Sequence, residues 1–150
     1  MHQPHYRRLL IMAALSLVAM YILMYAMVNA ISNVYHNFNQ FYMAGLMTAA
    51  MVVIEVAVMR AMYQNRRLNA LILTASLIAV PGFLMLIQQQ VGIADRQFLR
   101  SMIPHHASAL LMCEQASLED PEIKELCETI IASQQAEIDQ MTAKLRELER

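Results

Sequence analysis

Residues 9–30 read LLIMAALSLVAMYILMYAMVNA, a run without a single charged side chain. A helix of this length covers the roughly 30 Å hydrocarbon core of a bilayer at about 1.5 Å per residue. Two further apolar runs follow over about residues 43–62 and 68–88, of which the first contains Glu55 and the second contains Pro81. Proline inside a membrane helix is tolerated where neighbours satisfy the freed carbonyl, so Pro81 predicts a kink and not an end. The sequence therefore predicts three membrane-spanning helices.

The composition supports two regions in two different solvents. Hydrophobic residues make up 58% of the chain and charged residues 15%, which is far from the usual soluble balance. Glu55 is the only acid before Asp95, so the charge is concentrated in the last third. We expect a membrane domain in residues 1–92, with lipid as its partner, and a water-exposed domain in residues 93–150. A net charge of −1 without a basic stripe argues against a nucleic-acid partner.

Arginine positions predict the orientation of the spans. The loop of residues 32–42 contains no Lys or Arg, whereas five arginines flank the other ends of the spans: Arg7, Arg8, Arg60, Arg66 and Arg67. Short cytoplasmic loops carry the excess of Lys and Arg, which predicts a cytoplasmic amino terminus and a periplasmic or extracellular carboxyl-terminal domain at a bacterial inner membrane. The first apolar run is longer than the core of a signal peptide, so we expect it to be retained.

The last third predicts two amphipathic helices. From Asp95, a potential N-cap, apolar positions recur at spacings of three and four to about Ser117. The sequence Asp120-Pro121-Glu122 then supplies a second N-cap, a proline suited to the first turn and an acid that the helix dipole favours. The short connection forces the two helices to run antiparallel. The predicted fold class is thus all-α, with three transmembrane helices followed by an extracytoplasmic antiparallel helical hairpin.

Residues equidistant from Asp120 should meet across this hairpin. The rule sets Cys113 against Cys127 and His106 against Gln134. The two cysteines should lie close enough to bond, but the sequence leaves open whether they form a disulfide or stay reduced.

Potential metal ligands cluster on the hairpin. His105 and His106 lie among thioethers beside Pro104, whose missing amide distorts the helix. Imidazole and thioether donors form a soft set that selects copper, above all Cu(I). In the alternative interpretation the histidines are surface or hydrogen-bonded residues and the methionines fill the core. Spacing alone favours that alternative.

The motif Met102-Ile103-Pro104-His105-His106, then Met112, then QQAEIDQM over residues 134–141, resembles Domain of Unknown Function family 305 over about Asp95 to Leu145. The resemblance implies a ferritin-like four-helix bundle associated with copper binding and metal tolerance outside the cytoplasm. It places the ligand roles on paired histidines and on methionines: Met102, His105, His106, Met112 and Met141, with Gln134 and Glu137 as further candidates. Cys113 is an addition particular to this sequence, either as a thiolate ligand or as a structural link.

The resulting hypothesis is a membrane-anchored copper-binding protein that stores, buffers or passes Cu(I) at the outer face and is not an enzyme. A structural membrane oligomer without metal is one alternative. A ferritin-like metal enzyme is another, although it would need Glu-x-x-His pairs that the sequence lacks. A lone hairpin has little interior, so we expect a homo-oligomer, dimer or higher, in which two hairpins form a four-helix bundle.

Glu55 raises a separate question, because an acid within a span is a functional candidate by default. It lies in a series of methionines spaced by four residues, which suggests a path for a soft cation: Met43, Met47, Met51 and Met59. The alternative is ordinary helix packing, with Glu55 protonated or bonded to a neighbouring tyrosine or serine.

Overall fold

A computed structural model describes the backbone of residues 3–150 and the side chains of residues 5–150. Within this part all regular secondary structure is helical and there is no strand, which confirms the all-α prediction. The helices are α1 (Gln3–Leu23), α2 (Phe38–Val58), α3 (Arg66–Gln88), α4 (Asp95–Gln115) and α5 (Pro121–Leu148). Two short 3₁₀ turns, Met24–Met27 and Ile31–Asn33, follow α1.

Three helical stretches are long and apolar enough to cross a membrane: His5–Met27, Phe38–Val58 and Arg66–Gln88. They overlap the three predicted spans, with ends that differ by up to five residues. Pro81 lies within α3 and does not end it, as the sequence predicts.

The chain forms two compact units whose division differs from a simple split after residue 92. One unit consists of the chain up to Leu23 together with Asn39–Val91, and we call it the membrane unit because it holds the three long apolar helices. The other consists of Met24–Phe38 together with Gly92–Arg150, and we call it the outer unit after the orientation that the arginines predict. The α-helix of the first span ends at Leu23 instead of continuing to Ala30. The physical reason is tertiary packing, because Val28 contacts the core of the outer unit. The sequence from Met24 to Phe38 is called the docking segment below.

The membrane unit has a small interior. Its buried cluster consists of Leu9, Val56 and Tyr63, one from each of α1, α2 and the α2–α3 loop. The ring of Phe83 on α3 packs against Gly45 of α2, where an added Cβ would meet the ring atoms. A side chain at position 45 would thus require the Phe83 ring to move.

A polar network joins the start of α1 to the α2–α3 loop. The Tyr6 hydroxyl donates to Oδ1 of Asn69 at 2.7 Å and accepts from the backbone amide of Asn65 at 3.1 Å. The side-chain amide of Asn69 also donates to the carbonyl of Tyr63 at 2.6 Å. This network brings the five arginines of the membrane unit to one end of it, and all five are exposed: Arg7, Arg8, Arg60, Arg66 and Arg67.

Glu55 has a tyrosine partner. The Tyr63 hydroxyl donates to Oε1 of Glu55 at 3.2 Å. Burial raises the pKa of the Tyr63 phenol, and the hydrogen bond to Glu55 raises it further, so the phenol stays protonated and able to donate. This contact favours the packing interpretation of Glu55.

The outer unit has a continuous core between α4 and α5. Its buried residues recur at helical spacing: Ile103, Ala107 and Leu110 on α4, and Ile138 and Leu145 on α5. Val28 and Tyr35 of the docking segment pack against this core. The predicted amphipathic helices thus bury one face each, and the docking segment covers part of the same core.

The N-termini of helices α4 and α5 are capped differently. Asp120 caps α5 as predicted, because its side chain accepts hydrogen bonds from the amides of Glu122 and Ile123. Asp95 is the first residue of α4 and not its cap, since the N-cap position is Ala94. Its carboxylate still lies in the first turn, where the helix dipole favours an acid.

Candidate metal site on the α4–α5 pair

Helices α4 and α5 contact each other in opposite chain order. Arg100 of α4 forms an ion pair with Glu149 at 2.6 Å, and Arg96 donates to the carbonyl of Leu148. At the other end, Cys113 and Cys127 form a disulfide with a Cα–Cα distance of 5.3 Å. The pair is therefore fastened at both ends, and the prediction that the cysteines lie within bonding distance is confirmed.

Pro104 creates a docking point between these ends. A proline within a helix cannot donate to the carbonyl four residues earlier, which is that of Arg100. The side-chain amide of Asn37 donates to this carbonyl at 3.4 Å and to the carbonyl of Tyr35 at 3.0 Å. Asn37 is only 3% exposed, so a buried amide satisfies a carbonyl that the proline leaves without its helical partner.

His106 is buried with both ring nitrogens engaged. Nδ1 lies 3.0 Å from the carbonyl oxygen of Met102, and because a carbonyl can only accept, Nδ1 carries a proton. Nε2 lies 2.7 Å from Oε2 of Glu137, and this contact requires one proton between the two atoms. The Met102 carbonyl therefore fixes the ring orientation and presents Nε2 as the atom available to exchange its proton for a metal.

Equal distance from Asp120 predicted that His106 lies opposite Gln134, whereas its hydrogen bond is to Glu137, about one turn further along α5. The rule treats the helices as straight rods and ignores the reach of side chains. Gln134 and Glu137 lie on the same side of α5 at a spacing of three, and a carboxylate forms the stronger hydrogen bond with an imidazole.

The remaining ligand candidates on α4 lie on its flank and outer surface. His105 is exposed, and its ring centroid is 6.0 Å from that of His106. Met102 is half-buried and Met112 is 53% exposed. At about 100° per residue, Met102, His105 and Met112 share one stripe of α4, together with the exposed Phe98 and with Ala109.

The candidates on α5 are arranged in the same way. Gln134 is half-buried and the Glu137 side chain is 52% exposed. Met141 is half-buried and packs against the core cluster, so part of its side chain has a packing role. The same stripe of α5 continues toward its N-terminus through the exposed Ile123 and Leu126.

The two stripes lie on one side of the α4–α5 pair. The His106–Glu137 contact joins the flanks of the two helices, and helical periodicity places the other candidates on these same flanks. The docking segment contacts α4 at the carbonyl of Arg100 and at Gln97, whose side chain accepts a hydrogen bond from the amide of Phe38, and neither residue belongs to the stripes. We call the uncovered side, defined by the two stripes, the open face.

Cys113 cannot serve as a thiolate ligand in this oxidised form, because its sulfur atom is bonded to that of Cys127. In the part of the chain that the structure describes, no group of three or more His, Cys, Asp or Glu side chains is placed to hold a metal ion. A metal on the open face would thus depend on thioether donors, on a second copy of the chain, or on both.

The structure thus defines an all-helical protein with three helices of membrane-spanning length and a disulfide-linked helix pair that carries adjacent histidines. The sequence model described as "Domain of unknown function (DUF305)" matches residues 43–145, and the chain belongs to this family. The match begins within α2, so the family pattern includes the second and third apolar helices as well as the α4–α5 pair.

A relative of similar length comes from Acanthamoeba polyphaga mimivirus and is described as "Uncharacterized protein L153". It is 35% identical over 142 residues, which are 93% of this chain and 91% of the relative. No solved structure matches the chain significantly.

Sequence reasoning missed Asn37, which positions the docking segment on α4. A signal was present, because Pro104 in a predicted helix implies a carbonyl at Arg100 that needs another donor. Nothing in the local sequence identified Asn37 as that donor, since the two residues are 63 positions apart.

Proposed function

We propose that the chain is a membrane-anchored protein that binds Cu(I) on the open face of its α4–α5 hairpin and stores, buffers or passes it, without catalysing a reaction. The observation that carries the proposal is the fixed orientation of His106. Its Nδ1 proton is held by the Met102 carbonyl, while Nε2 is held only by a side chain that is itself half exposed. Metal-binding histidines commonly have this arrangement, with the second nitrogen hydrogen-bonded to a carbonyl.

The donor set fits a soft metal. His105 lies next to His106, and Met102 and Met112 occupy the same side of α4. Thioethers and imidazoles favour Cu(I), whereas calcium and magnesium prefer oxygen ligands. Glu137 becomes available as a ligand or as a hydrogen-bond partner once metal replaces the proton on Nε2.

A second copy would complete the site. Residues of a single chain supply few strong ligands at one point, and the open face also exposes Phe98, Met112, Ile123 and Leu126. Two hairpins packed through their open faces would bury these apolar side chains in a four-helix bundle and bring both ligand sets together. Metal binding and dimerisation would then be coupled.

The exposed apolar side chains of the open face also support a second candidate function, that of a structural oligomer without metal. Exposed Phe98, Ile123 and Leu126 suit a protein interface whether or not copper is present. The two functions differ in what the histidines do, since a purely structural interface needs no donor at the exposed His105.

We further propose that the amino terminus is cytoplasmic and that the hairpin faces the periplasm of a bacterial inner membrane. The five arginines at one end of the membrane unit support this orientation, and with three spans the hairpin would emerge on the other side of the membrane. The disulfide fits an oxidising compartment. An epitope tag after Arg150 should be accessible in intact spheroplasts, and protection of this tag until lysis would contradict the orientation.

The functional test is an anaerobic Cu(I) titration of the full chain in mild detergent against a competing chelator. His105→Ala with His106→Ala should abolish tight binding, and Met112→Leu should weaken it because leucine keeps the volume but lacks the sulfur donor. Met85→Leu is the matched control, since Met85 is also exposed, at 58%, but lies on α3. Unchanged affinity in the double histidine variant would refute the proposal.

Because His106 is buried, its loss could disturb the fold, so His105→Ala alone is also needed. His105 is exposed, and its replacement should leave the helical content unchanged while lowering the Cu(I) affinity. Native mass spectrometry of the same samples should show a copper-loaded dimer. A copper-loaded monomer would show that one hairpin suffices and would remove the second copy from the proposal.

A further inference from the structure

A groove of about 410 Å³ runs along one face of α1 in the membrane unit. It begins at Arg8 and continues along residues spaced by three and four: Ile11, Met12, Leu15, Ser16 and Ala19. Below Arg8 the lining is apolar apart from the Ser16 hydroxyl. The groove is therefore shallow and open to its surroundings, with an apolar floor formed by α1 alone and a cation at one end.

Arg8 has no acidic partner within the described residues. The ion pairs among residues 5–150 involve Arg100, His106 and Lys144, and all three lie in the outer unit. The single acid of the membrane unit, Glu55, accepts a hydrogen bond from Tyr63. The arginine end of this unit is thus a cluster of exposed, unneutralised cations beside the mouth of the groove.

A second copy of α1 is a poor occupant for this groove. Two copies with the same orientation in a membrane would pack in parallel and bring two Arg8 side chains together at the interface. Like charges at close range oppose such an interface. An amphiphile suits the groove better, because its anionic head complements Arg8 and its apolar tail complements the apolar lining.

We propose that the α1 groove is a binding site for an anionic phospholipid, with the headgroup phosphate on Arg8 and an acyl chain along Ile11, Leu15 and Ala19. The spacing of the lining residues along α1 sets the direction of the bound lipid. An acyl chain that follows the groove lies parallel to α1 and therefore parallel to the surrounding lipids. The site is independent of the copper proposal and requires only that α1 is embedded in a bilayer.

The test is lipid retention by the full chain, reconstituted in vesicles of equal parts phosphatidylglycerol and phosphatidylcholine, extracted in mild detergent and measured by native mass spectrometry. The wild type should retain phosphatidylglycerol in preference to phosphatidylcholine. Arg8→Gln should lower this preference about fivefold, which corresponds to the roughly 1 kcal/mol of one arginine near an anionic surface. Arg7→Gln is the matched control, because Arg7 is equally exposed but does not line the groove.

A second pair of variants tests the groove while leaving all charges in place. Ala19→Leu fills the groove and should reduce phosphatidylglycerol retention, whereas Ala14→Leu, at an exposed alanine of α1 outside the lining, should not. Equal effects of Arg7→Gln and Arg8→Gln would mean a general attraction to negative surfaces and would overturn the site. Equal retention of the two lipids, unchanged retention in Ala19→Leu, or failure of the wild type to float with the vesicles would also overturn it.

Discussion

The two units of the chain bury their apolar residues in opposite ways. In the outer unit, Ile103 and Leu110 are no more than 1% exposed, and a contiguous core lies between α4 and α5. In the membrane unit, α3 has no buried residue and Leu71 and Ile78 are 65% and 66% exposed. The first unit thus stabilises itself by hiding apolar surface from water, whereas the second leaves apolar surface uncovered on helices that are long and apolar enough to cross a membrane.

This difference shows where specific contacts decide the structure. Within lipid, apolar burial gives little drive for helix association, so close contacts such as that of the Phe83 ring with Gly45 and hydrogen bonds such as that between Tyr6 and Asn69 matter most. In the outer unit the hydrophobic core and the disulfide dominate.

The largest expected effect comes from Leu110→Ala in the outer core. Leu110 is 1% exposed, so its truncation removes buried methyl groups and leaves a cavity that should cost about 2–5 kcal/mol in the free energy of unfolding. Urea-dependent proteolysis of the α4–α5 pair, with fragments identified by mass, measures the loss. Leu77→Ala on α3, at a residue 57% exposed, is the control and should leave this transition unchanged. If both variants lost the same free energy of unfolding, the proposed difference between the two units would be contradicted.

Reduction of the disulfide should have the next largest effect. Cys113 and Cys127 are separated by 14 residues, and a cross-link that closes a loop of this size contributes about 3 kcal/mol. In the double variant Cys113→Ser with Cys127→Ser, the α4–α5 pair should therefore unfold at a lower urea concentration than in the wild type. Added reductant should not bring the unfolding midpoint of the wild type below that of the double variant. Non-reducing mass spectrometry checks the premise, since two alkylated thiols in freshly purified protein would contradict the disulfide.

A smaller effect is expected at the α2–α3 contact of the membrane unit. Gly45→Ala places a Cβ against the Phe83 ring and should cost about 1–3 kcal/mol through overpacking. Gly82→Ala provides the control, because nothing lies within 4 Å of its added Cβ. Protease accessibility of the α2–α3 loop in increasing denaturing detergent reports the difference. Restoration of the wild-type profile by Gly45→Ala with Phe83→Leu would identify the ring as the cause.

Much of the architecture could be predicted because long periodic patterns leave few alternatives. The long apolar runs predicted the three apolar helices, Asp120-Pro121-Glu122 located the start of α5, and equal distances from Asp120 paired Cys113 with Cys127. Each of these depends on local composition or on a short connection.

The features that the sequence did not predict depend on distant contacts. Residues 24–30 read as a continuation of an apolar helix, but Val28 instead packs on the outer core. His106 was expected opposite Gln134, and its hydrogen bond to Glu137 depends on side-chain reach and charge. The apolar periodicity predicts that α4 and α5 each bury one face, yet Phe98 and Leu126 are 49% and 57% exposed, because α4 and α5 carry more apolar surface than one pair can cover.

The most direct measurement of the central claim is X-ray absorption at the copper edge of the full chain loaded anaerobically with Cu(I) and washed with chelator. The open face predicts a mixed first shell of imidazole nitrogen and thioether sulfur, because His105 shares one stripe of α4 with Met102 and Met112 and lies next to His106. Met112→Leu should reduce the sulfur contribution, whereas Met85→Leu on α3 should not. Retained copper with only oxygen and nitrogen neighbours, or no copper after the wash, would contradict a soft-metal site on the α4–α5 pair.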